Sequence, residues 1–71
     1  MDRTRLQNQL DDCYRQLSQR NQELSEFLRD NASHIDDNLV QLWIDTHMDS
    51  IRRLTRLIEA LENALAGQNN N

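Results

Sequence analysis

Two runs of apolar residues, each stepping alternately by four and by three positions, commit this chain to a pair of packed helices. In the first run Leu6, Leu10, Cys13, Leu17, Leu24 and Phe27 mark one stripe, with Arg20 in the single slot taken by a charge. In heptad terms Leu10, Leu17 and Leu24 stand at a, and Leu6, Cys13, Arg20 and Phe27 at d. The second run is Val40, Ile44, His47, Ile51, Leu54, Ile58, Leu61 and Leu65. Its a positions are Ile44, Ile51, Ile58 and Leu65. The spacing predicts helices over about residues 3–29 and 34–66.

The segment Asp30-Asn31-Ala32-Ser33 separates the runs. Asn31 tolerates the left-handed backbone that ends many helices. Ser33 followed by Asp36 reads as an N-cap with an acidic third position. Gly67 stands where a C-cap belongs. A joint this short makes the helices antiparallel neighbours. It also sets a register: Leu6 level with Ile58, Leu10 with Leu54, Cys13 with Ile51, Leu17 with His47, and Leu24 with Val40. Each layer pairs an a with a d position. The charges lie mostly on outer faces and read as intrahelical support, such as Asp11 to Arg15 and Asp49 to Arg53.

The expected fold class is therefore all-α: a two-helix antiparallel hairpin over residues 1–67, followed by a disordered polar tail at 68–71. Seventy-one residues make one domain at most. A hairpin buries only one stripe per helix, and domains this small usually rely on disulfides, metal or oligomerisation. Cys13 is the only cysteine, so no internal disulfide forms, and a cytoplasmic, reducing setting is expected. Met1-Asp2-Arg3-Thr4 lacks the apolar stretch of a signal peptide, and no segment is apolar enough to span a membrane.

Helix 2 carries more apolar surface than its seam uses. Ile35, Leu39, Leu42 and Trp43 lie off the seam, so its first third is apolar almost all round, as in a helix covered on more than one side. Tyr14, Leu28, Met48 and Leu57 widen the faces. In the bland alternative Ile35 and Leu39 cover the joint and Trp43 folds over Glu23. The stronger expectation is a partner or dimer interface at Ile35, Leu39, Leu42 and Trp43, with the hairpin dimerising into a four-helix bundle.

Candidate chemistry is sparse. His34 and His47 have no cysteine pair or Glu-x-x-His motif beside them, so no metal or other cofactor is expected. His47 fits a seam layer as a hydrogen-bonded polar residue, and Arg20 fits the seam by its stem with the head reaching water or Asp45. Cys13 reads as a small core residue, and no catalytic constellation points to an enzyme. Arg52, Arg53 and Arg56 form the one basic cluster, flanked by Asp49, Glu59 and Glu62. The net charge of −4 argues against nucleic acid as the main partner.

The leading functional expectation is a protein–protein interaction module: an adaptor, co-chaperone or inhibitor acting as a homodimer or on another protein. The runner-up is an RNA-binding hairpin dimer using Arg52, Arg53 and Arg56 as contacts to an anionic partner. The architecture resembles Rop-type hairpins, which dimerise into four-helix bundles and bind RNA; the likeness is architectural. In size, charge and helicity the chain is also similar to the small acidic hairpins among type III secretion co-chaperones.

Overall fold

A computed structural model describes residues 3–69, with side chains described for 3–67. Helix α1 spans Arg3–Asp30 and helix α2 spans Asn38–Asn69, with a 3₁₀ turn at Ala32–His34 between them. No strand occurs among the described residues. The two helices pack along their length as a hairpin with principal extents of 54 × 15 × 14 Å. No described helix is long and apolar enough to cross a membrane.

The joint is longer than the sequence suggests. Helix α2 begins at Asn38 rather than near residue 34, so the connection spans 31–37. Asn31 does not end α1 by a left-handed turn, since its φ is −114° and no described residue has positive φ. Instead its backbone N–H and its side-chain amide both donate to the Phe27 carbonyl, each at 2.9 Å. Two further turns follow, as His34 N–H donates to Asn31 and Asp37 N–H donates to His34. The cap of α2 is Asp37 and not Ser33: its Oδ1 accepts the Leu39 N–H at 2.8 Å. Aspartate caps as well as serine, and Asp37 stands two residues before Leu39, where the apolar-rich stretch of α2 begins, so the helix starts there. Gln41 then reaches back to the Ile35 carbonyl at 2.6 Å and fastens the joint to the first turn of α2.

The longer joint moves the register. One buried cluster unites Leu6, Leu10 and Cys13 of α1 with Ile58, Leu61 and Leu65 of α2, and Leu17 packs against it. In antiparallel order this sets Leu6 level with Leu65, Leu10 with Leu61 and Cys13 with Ile58, one heptad on from the expected layers. The contact from Tyr14 to Glu62 at 2.8 Å fits the shifted register. The seam residues are those expected, because a slip of seven leaves every a position facing a d position. Leu65 gains a partner by the shift and is 8% exposed.

The far end of α2 also departs from expectation. Gly67 is not a C-cap but lies within α2, without positive φ, and α2 continues to Asn69. Of the expected polar tail, residues 68 and 69 are thus helical, and 70 and 71 lie outside the described residues.

Burial is uneven along the hairpin. The buried cluster sits away from the joint, whereas Leu17, Leu24, Phe27, Val40 and Ile44 toward the joint are only half-buried. No described side chain falls below 2% exposure. The buried cluster is thin, each of its members keeping 4–8% exposure.

A candidate interaction face at the joint end

The two most exposed large apolar side chains, Leu39 and Leu42, lie at the joint end. Leu39 is 76% and Leu42 62% exposed, and Ile35 and Trp43 are each 37% exposed. Leu39, Leu42 and Trp43 follow i, i+3 and i+4 on α2 and so share a face. Ile35 does not belong to that helical face, because it precedes α2 and closes the 3₁₀ turn.

Trp43 is less free than its heptad position implies. Its ring stacks on Phe27 of α1 with centroids 3.7 Å apart and planes 15° apart. It also stacks on His47, one turn along α2, at 4.6 Å and 9°. Stacked ring pairs contribute about 0.5–1.5 kcal/mol beyond the area they bury. The stacking therefore holds the indole in place while Trp43 stays 37% exposed. Sequence reasoning missed this three-ring cluster. The signal was Phe27 at the last d position of α1, facing a Trp and a His spaced i, i+4.

His47 is buried at 7% exposure, and its Nε2 lies 2.7 Å from the Arg20 carbonyl. A carbonyl only accepts, so this geometry requires the Nε2–H tautomer to donate. The bond ties the middle of α2 to α1 and satisfies the one buried polar side chain of the seam. Arg20 is half-buried and makes no ion pair with Asp45 among the described residues. His34 is exposed in the 3₁₀ turn.

The arginine cluster is internally engaged. Asp49 takes Arg52 at 2.9 Å and Arg53 at 3.7 Å, and these pairs are exposed. The hydrogen bond and charge of Arg52, with smaller contributions from Arg53 and Arg56, hold the Asp49 carboxyl below the usual aspartate range. On α1, Arg15 pairs with Asp12 rather than with the expected Asp11. Exposed pairs of this kind contribute little to stability.

Two shallow grooves run between the helices on the side of Leu57, which lines both together with Gln16. Neither joins an acid, a base and a nucleophile. Among the described residues no three metal-ligating side chains come together. Compared with protein families, with curated proteins and with solved structures, the chain shows no match.

Proposed function

We propose that the hairpin is a protein–protein interaction module, an adaptor, co-chaperone or inhibitor, that works as a dimer in a reducing, cytoplasmic setting. The observation that carries this is the exposure of Leu39 and Leu42 beside a fixed, part-exposed Trp43, in a fold where no described side chain falls below 2% exposure. Contiguous apolar patches on small proteins mark contact sites. Tryptophan is among the residues most often found as interface anchors, and here its ring is held in place before any partner arrives.

The RNA reading has less support. Asp49 occupies Arg52 and Arg53, and the chain is net acidic. Phosphate contacts would have to displace that carboxylate.

Sedimentation equilibrium tests the proposal. The parent is expected to associate at micromolar concentration, with a melting temperature that rises with concentration. The double variant Leu39→Glu with Leu42→Glu is expected to stay helical and lose association. A parent that stays monomeric and binds no protein, with an unchanged melting temperature on concentration, would refute the reading. Binding to RNA that weakens steeply with salt would favour the runner-up.

A further inference from the structure

The c and g heptad positions of α2 form a second seam, about a third of a turn around the helix from the seam that faces α1. It begins at Leu39 and ends at Ala64, again stepping by four and three, and Arg53 is its only charged member. Its large and small residues are not evenly spread. Leu39 and Trp43 occupy one end, alanines the other, and Leu57 stands across the middle from Thr46.

We infer that this seam docks against the same seam of a second copy, with the two α2 helices antiparallel. The inference rests on the reading of the chain as a dimeric interaction module and specifies its surface. In an antiparallel pair that matches c with g positions, Leu39 meets Ala64, Trp43 meets Ala60, Leu57 meets Thr46, and Arg53 meets Ser50. Every layer sets a large side chain against a small one, and each layer recurs by the twofold symmetry. A slip of one heptad in one direction strands Leu39 beyond the end of the seam; in the other it sets Leu39 against Leu57. A parallel pair would set Trp43 on Trp43 and Arg53 on Arg53. On the flank the antiparallel pair brings Asp49 of one copy toward Arg56 of the other; at the twofold axis the two Arg53 side chains stand in adjacent layers, each beside Asp49 of its own helix at 3.7 Å.

The exposed area fits the same partner. The chain exposes 5418 Å² at a mass of 8.4 kDa. A compact monomer of that mass exposes about 4,600 Å². The excess, roughly 800 Å², goes with the elongated 54 × 15 × 14 Å shape of the lone hairpin, and it is as large as one partner's share of a standard interface. The seam is open to receive it: Leu39 is 76% and Leu57 48% exposed, and Ala60 and Ala64 are exposed.

Disulfide trapping tests the arrangement. The background is Cys13→Ala, which removes the one native thiol. The pair Thr46→Cys with Leu57→Cys cannot close within one helix, because three turns separate the positions. Under mild oxidation it is expected to give a covalent dimer, while Thr46→Cys alone does not. Ala60→Glu, in the native background, is expected to keep its helix content and weaken the dimer about tenfold or more, since it places a charge against Trp43 of the other copy. A dimer by sedimentation that the double-cysteine pair fails to trap, and that Ala60→Glu leaves intact, overturns this interface but not the module reading. Efficient trapping by Thr46→Cys alone overturns it in favour of a parallel pair. A parent that is monomeric at all concentrations overturns the interface together with the dimer.

Discussion

Truncating Leu65 to alanine probes the observed register at its far end. Leu65 is 8% exposed and belongs to the buried cluster with Leu6 and Leu61. Burying a leucine fully is worth about 1.5–3 kcal/mol, and Leu→Ala changes in cores cost about 2–5 kcal/mol. An outer layer near a helix end collapses more readily than a central one, so the lower bound applies, about 2 kcal/mol. Alanine's better helix propensity offsets only a few tenths of that. A domain of this length has a total stability of about 4–10 kcal/mol, so the loss is a substantial fraction of it. With a urea dependence of about 1–2 kcal/mol per molar, the unfolding midpoint should fall by about 1–2 M. Circular dichroism across a urea series, at one fixed protein concentration, reads this directly. Were Leu6 level with Ile58, as the shorter joint implied, Leu65 would overhang the end of α1 and its truncation would cost little. A midpoint change worth less than about 0.5 kcal/mol would therefore refute the register argued above.

Other consequences follow from the joint, the helix end and the exposed hydrogen bonds. Asp37→Ala removes the oxygen that caps Leu39 N–H and should cost about 1 kcal/mol by urea denaturation, while Ser33→Ala should be nearly silent. Gly67→Ala should stabilise by about 0.5 kcal/mol, because the position is helical and a Cβ there meets nothing within 4 Å; destabilisation would mean that Gly67 ends the helix after all. The bond from Tyr14 to Glu62 raises the phenol's pKa above its ordinary 10.0, with burial and the Glu62 charge adding to it. Its contribution to stability is therefore present below pH 10.0 and lost as pH rises through the raised folded value. Absorbance of the phenolate, clean because Tyr14 is the only tyrosine, should titrate late in the parent and in the ordinary range in Glu62→Ala.

The helices were legible because the heptad alternation survives single interruptions such as Arg20. The register was not, because seam periodicity is blind to a slip of seven residues and only the joint length distinguishes the alternatives. That length turned on which of two good caps is used. Ser33 and Asp37 are both capable, and the consecutive turns closed through Asn31 and His34 carry the chain past the first to the second. Gly67 misled because glycine's preference for the end of a helix is a tendency, and nothing here required a left-handed residue. The candidate face was partly legible: Leu39 and Leu42 lie off the seam in any register. The place of Ile35 depended on the start of α2, and the support under Trp43 depended on Phe27 coming level with it.

A second copy on the outer face of α2 would cover Trp43, and the fluorescence of that indole on dilution reports whether it does. Trp43 is the only tryptophan, and its ring is fixed by Phe27 and His47 while the residue stays part-exposed. The emission maximum is expected to be blue-shifted at high concentration and to move to the red on dilution, along the same curve as dissociation by sedimentation. The Leu39→Glu variant should give the red-shifted spectrum at every concentration. A parent spectrum that stays at one wavelength across the dilution series while the molecule dissociates would show that the second copy does not cover the indole.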